Sequence, residues 1–265
     1  TNMPGTTFFV PVTNTTVEYM ILLFIYFGSK YGFNIIDELN GGRSCGLDKW
    51  IKKGYIKNDV RMSLFDLEIR VLTTLNVEQA FICQNMNLAL QALGLGGWAF
   101  TGLLPHYALG VNPSYKGLGF RFITPEKGLR TILNPVPVGR DGIFEALCPP
   151  YVRDMGEAVD KFLKMRGDFW KDENPYPYRN PRGVLEDEYH PSEERIQIVK
   201  DFCKYVYENY GRFPAFLDPM FVRLVFQAHH LDLEFYDKHY TEGAYTEIHK
   251  NHFKLWHPEL KNLFD

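Results

Sequence analysis

The chain lacks the short motifs that announce many common enzyme classes. It has no P-loop, no Gly-x-Gly-x-x-Gly following a strand, no His-Glu-x-x-His and no Cys-x-x-Cys pair. Kinase-type phosphate cradles and zinc-peptidase helices lose their usual support. Also missing is an excess of positive charge. A formal net charge of -3 gives no basic footprint for a phosphate backbone, so nucleic acid is not an expected partner.

Long hydrophobic runs are absent too. The most apolar stretch, from Val17 to Phe27, is much shorter than the ~20 residues that span a bilayer. No basic n-region with a small-residue cleavage site precedes it. The four cysteines (Cys45, Cys83, Cys148, Cys203) lie far apart and read as reduced core thiols. Together these features predict a cytoplasmic protein without a membrane segment, in which Cys83 is protonated and inert. Asn14-Thr15-Thr16 has the letters of a glycosylation site, but such triplets arise often by chance.

Apolar material is plentiful, at 45% hydrophobic and 15% aromatic residues over 265 positions. That is enough to bury a sizeable core without outside staples. One domain is expected over 1–265, with a Pro/Tyr-rich loop at 168–191 setting off a helical C-terminal portion, 192–265. Its aromatics Phe169, Trp170, Tyr176 and Tyr178 suit a lid.

Capping and periodicity predict the helices. Asn14 caps one from about Val17 to Phe27, and a short one covers Leu47 to Lys53. A long one runs from Leu64 to Leu93 behind Ser63, with a break near Asn76, and stops at Gly94-Leu95-Gly96-Gly97. Apolar residues on nearly all its sides predict burial on nearly all sides. Further helices are expected over Arg153 to Met165, after Ser192 to Gly211, from Asp218-Pro219 to about Tyr240, and over Thr246 to Trp256. Between Trp98 and Leu147 glycine and proline come too often for long helices, and Leu118 to Ile123 alternates as a strand does. A sheet is expected there.

Three constellations carry possible chemistry. The run Gln79 to Trp98, with Gln84-Asn85, Leu88-Ala89 and Leu93-Gly94-Leu95-Gly96 inside it, resembles the central helix of the nitroreductase-like flavoproteins over about 78–102. The resemblance implies an α+β sandwich, a homodimer, FMN bound across the dimer interface, and hydride transfer to a small organic acceptor. It places flavin near Asn85, Gly96, Gly97, Trp98, Thr101 and Gly102. Small side chains and exposed backbone N–H groups also suit a flat ring on physical grounds. Of the family's Arg-x-Ser-x-Arg phosphate clamp only Arg43-Ser44 is represented, which favours an alternative, a cofactor-less interaction protein on the same fold.

The second constellation is histidine. Six of eight histidines fall after residue 218, and on one helix His230 and Glu234 would be i,i+4, able to present a transition metal with two ligands. Asp237 continues that face and His249-x-x-His252 could add to it. Hydrogen-bonded packing among the tyrosines is the competing reading. The third is the loop Asn134 to Gly142, where Arg140 suits an anion or closes a turn with Asp141. His106, beside Pro105 and Tyr107, is the best-placed lone histidine for acid–base work.

Overall fold

The computed structural model describes residues 5–102, 104–112, 114, 116–125, 135–169, 178–186, 190–217, 223–230 and 232–251. The chain mixes helix and strand, with helix in excess and the strands in small open sheets. It divides into two compact units made of interleaved segments. Unit 1 comprises 1–13, 76–104 and 222–265, and unit 2 comprises 14–75 and 105–221. Both flanks of the 168–191 loop fall in unit 2.

Unit 2 holds the larger core. Helix α1 (Thr15–Tyr26) starts where the Asn14 side chain accepts from the Thr16 and Val17 amides. It packs with α5 (Met155–Phe169) and α7 (Glu193–Tyr210), the latter capped by Ser192 and closed by Gly211 at φ 65°. Tyr19, Leu23, Phe27, Val159 and Phe202 are fully buried between them, and Phe24 stacks on Phe162 at 5.8 Å. Beside these helices β2 (Asn34–Asp37) pairs antiparallel with β3 (Arg43–Ser44) and parallel with β4 (Arg61–Ser63). The short helix α2 (Asp48–Lys52) lies between β3 and β4 in the chain.

Two buried carboxylates tie this core together. Glu68 accepts from three successive amides, Ala215, Phe216 and Leu217, at 2.7, 2.6 and 2.6 Å, and from the Tyr19 hydroxyl at 3.2 Å. Asp37 accepts from the hydroxyls of Tyr210 and Tyr205 and from the Asn40 amide at 2.7, 3.1 and 2.6 Å. Both are saturated with donors, as buried charges must be. The remaining elements of unit 2 are α4 (Pro105–Leu109), β6 (Phe122–Ile123), β7 (Val136–Pro137) and α6 (Pro181–Glu186).

Helix α3 (Leu64–Leu93) is continuous through Asn76, so the expected break does not occur. Ser63 does cap it, accepting from the Asp66 amide at 2.9 Å. Its first twelve residues belong to unit 2 and the rest to unit 1. Unit 1 adds an antiparallel sheet of order β1-β8-β5, from Thr7–Phe9, Val225–His230 and Leu95–Phe100. Among the described residues it also holds two short helices, α8 (Leu233–His239) and α9 (Glu247–Lys250).

Four sequence expectations change. The sheet of unit 1 draws on both ends of the chain as well as the middle, whereas only Phe122–Ile123 of the expected 118–123 strand pairs, with β7. Within the helix expected from Asp218 to Tyr240, the described residues instead form strand β8 and helix α8. Gln227 and the β-branched Val225 sit in a central strand whose pairing on both sides overrides helical periodicity. Burial on all sides of the long helix fails in unit 1, as described below. The lid aromatics Trp170 and Tyr176 lie outside the described residues, as do Asp218-Pro219 and the end of the last helix; Tyr178 is exposed.

Candidate functional site

In unit 1 α3 buries a single stripe: Gln79, Cys83 and Leu90, with Met86 half-buried between them. The spacing of three and four residues is one helical face. Against it lie Phe226 and Ala228 of β8. Gln79 also donates to the Pro11 carbonyl and the Thr13 hydroxyl, holding the arm that follows β1. The rest of the helix surface is bare. Phe81 is 66% exposed and Leu93 64%, with Val77, Ile82 and Leu88 about half exposed. Between 76 and 93 the only charged residue is Glu78. Surface helices normally carry charge on the outward face.

Gly94 ends α3 at φ 70°, a conformation that glycine adopts at little cost, and β5 begins at the next residue. That turn leaves a cavity of about 450 Å³ between helix and sheet, a volume in the usual range for small-molecule pockets. Met86, Ala89, Leu90 and Leu93 line it from α3, and Phe9 and Phe226 from the strands. The lining is mostly apolar, with Thr7 and His229 as its polar residues, and contains no Lys or Arg.

The glycines after the helix have a different role from the one expected. Gly96 and Gly97 are not a free loop but rungs of β5, opposite His229 and Ala228. A Cβ on Gly97 would overlap the Gln227 carbonyl and the Leu90 side chain, so the missing side chain lets β5 close onto β8 and α3. Asn85 is exposed on α3, Trp98 is 54% exposed on β5, and Thr101 and Gly102 are exposed just beyond it. These six candidates share unit 1. Arg43 and Ser44, in β3, and Arg140 belong to unit 2.

Flavin mononucleotide is therefore met only in part within unit 1. The cavity suits an apolar ring system in size and chemistry. Its lining holds no Lys or Arg to meet a phosphate, which would sit largely beside aliphatic carbon at a desolvation cost.

The helical spacing expected of His230 and Glu234 does not form. His230 ends a strand and Glu234 lies in α8, so the two are not i,i+4 on one helix. Asp237 is engaged by the Tyr245 hydroxyl and the Gly243 amide at 3.0 and 2.9 Å. Among the described residues no three His, Cys, Asp or Glu side chains gather around a point that could hold a metal. His252 lies outside them. The competing packing reading describes His229 and His239 well: His229 Nε2 is 3.0 Å from the Tyr236 hydroxyl, and His239 lies 4.5 Å from Phe235 ring to ring. Burial pushes the Tyr236 phenol up, helped by Tyr240, so Tyr236 stays neutral and can donate to the imidazole. His106 lies in α4 of unit 2.

The Arg140 loop is also rearranged. Asp141 pairs with Arg121 at 2.7 Å, not with Arg140, and the Arg121 guanidinium stacks 3.9 Å from the Tyr151 ring centre. Arg140 contributes a backbone bridge to Phe144. Gly42-Arg43-Ser44-Cys45-Gly46 has the letters Gly-x-Ser-x-Gly, yet among the described residues no non-glycine residue has a positive φ. The strained serine of a nucleophile elbow is therefore not formed among the described residues. All four cysteines are free and buried, and burial pushes the Cys83 thiol up, keeping it protonated as expected.

Sequence reasoning missed Gln227 and His229 as neighbours on one strand face. The signal was faint: a Val-Phe-Gln-Ala-His alternation hidden inside an apparent helix. No family model matches the chain, and no curated protein or solved structure matches it. No helix among the described residues is long and apolar enough to cross a membrane.

Proposed function

We propose that the chain is a nitroreductase-like, flavin-dependent oxidoreductase that acts on a small organic molecule as a homodimer. The observation that carries this reading is the helix, glycine and strand sequence at Leu93-Gly94-Leu95. It creates an apolar cavity large enough for a flat ring at the place where the 78–102 run resembles that family. Because no Lys or Arg lines the cavity, the ring contributes the affinity and the phosphate contributes little.

Flavin binding tests this. Purified protein should show flavin absorbance or acquire it on titration. Riboflavin, which lacks the phosphate, should bind within about threefold of FMN, a difference well under the ~1.4 kcal/mol of a tenfold change. Ala89→Trp, which fills the cavity, should abolish both. Colourless protein that leaves flavin fluorescence unchanged overturns the reading.

The homodimer rests on the bare faces of α3. An uncharged apolar face can meet its own copy without like-charge repulsion, and an antiparallel two-fold puts the two Glu78 side chains at opposite ends. Phe81→Glu with Leu88→Glu should convert a dimer to monomer in sedimentation velocity; wild-type protein that is already monomeric at micromolar concentration contradicts this part.

A further inference from the structure

The face of the unit 1 sheet turned away from α3 carries a feature independent of the cavity. Register places Phe8, Gln227 and Trp98 directly opposite one another on β1, β8 and β5. Side chains opposite in a ladder share a face, and Phe226 and Ala228 already occupy the α3 side. Gln227 therefore stands between two aromatic rings on the outer face. Phe100 joins them, stacked on Trp98 at 5.1 Å and edge-on to Phe8 at 6.2 Å. Trp98 and Phe8 remain about half exposed, while Gln227 is 4% exposed.

Gln227 Oε1 is buried and has no hydrogen-bond partner among the described residues. Buried amide oxygens are rarely left so; Asn34 Oδ1 and Gln79 Oε1 share that state, but of the three only Gln227 stands in a sheet opposite aromatic residues. Next along the same strand face comes the His229–Tyr236 pair, so one end of the aromatic platform is polar. Opposite His229 the facing residue is Gly96, which adds no side chain to that end. Phe8, Gln227, Trp98 and Phe100 are all uncharged.

We infer that this outer face is a second binding site, for a neutral planar heteroaromatic ring bearing an N–H donor. The ring stacks on Trp98 and its N–H donates to Gln227 Oε1. Aromatic side chains accept any flat ring face; the amide oxygen selects rings with a donor, because an unsatisfied acceptor is what a donor-free ring would leave behind. Phe8, at the sheet edge and half exposed, is the side chain that gives way.

Theophylline and caffeine test this directly, since they share one ring system and only theophylline retains an N–H. Calorimetric titration should show wild type binding theophylline about tenfold more tightly, the effect of one hydrogen bond. Gln227→Leu, and Gln227→Met as a second variant, should erase that preference and leave caffeine binding unchanged, with the thermal melt confirming the fold. Trp98→Ala should remove binding of both. Ala89→Trp, which fills the cavity on the other face, should change neither; loss of binding in that variant places the ring in the cavity and overturns the inference. So does equal binding of the two xanthines by wild type, or no binding of either at millimolar concentration.

Discussion

The two units treat their apolar residues in opposite ways. In unit 2 three helices and a small sheet enclose a large contiguous core, and its two buried carboxylates, Glu68 and Asp37, are each engaged by three or more donors, although Asn34 Oδ1 lacks one. In unit 1 the buried apolar cluster among the described residues is small, Cys83, Leu90, Phe226 and Ala228, while Phe81, Leu88, Leu93, Phe8 and Trp98 are exposed. Both draw on the same apolar-rich composition. Unit 2 has the hallmarks of a scaffold, whereas unit 1 keeps apolar surface for something other than its own core, as binding surfaces do.

The largest perturbation of this contrast is expected at Glu68. Glu68→Ala strands three buried amides, at about 1–3 kcal/mol each, and should lower stability by roughly 3–6 kcal/mol in urea unfolding. A loss under about 1 kcal/mol would mean the loop at 212–217 relaxes freely and unit 2 is less tightly tied than drawn. Phe202→Ala, at a fully buried position, should cost about 3–5 kcal/mol.

Gly97→Ala tests whether that glycine serves packing. The overlap with the Gln227 carbonyl and Leu90 predicts a loss of about 1–3 kcal/mol in the same assay. An unchanged melt would return the glycine to the exposed-backbone role that the sequence suggested.

A smaller effect concerns pH. Burial alone pushes the Asp201 carboxyl up, but hydrogen bonds from Lys49, Trp50 and Gln197 together hold it below its ordinary range. A depressed folded-state value stabilises the protein above the unfolded pKa of about 3.9. The contribution is then lost as pH falls through the folded value. Asp201→Asn should therefore cost up to about 1 kcal/mol at pH 7 and less below pH 3, read from melts at both pH values. Smallest of all should be Leu88→Ala, within about 0.5 kcal/mol in a monomer because the side chain is mostly exposed. A larger loss that grows with protein concentration would show the bare helix face to be covered by a second copy.

Much of the helical framework was legible in the sequence, because caps and stops act locally. Asn14, Ser63, Ser192, Gly94 and Gly211 did what their side chains, or the lack of one, dictate whatever surrounds them. The buried cysteines followed from spacing and apolar context. The 225–240 segment was misread because a short strand and a short helix in succession can mimic one longer amphipathic helix. The candidate site was legible only as a location, the end of α3. Its cavity and the Phe8-Gln227-Trp98 rung could not be seen, since they join positions more than a hundred residues apart in the chain.

Where the long helix begins and ends, and how apolar it is, followed from the order of residues, since both depend on interactions within a few positions. Which of its faces is buried was settled only by folding. Strands from both chain ends cover one stripe between Gln79 and Leu90, leaving the others bare, because a three-stranded sheet presents only one face to a helix.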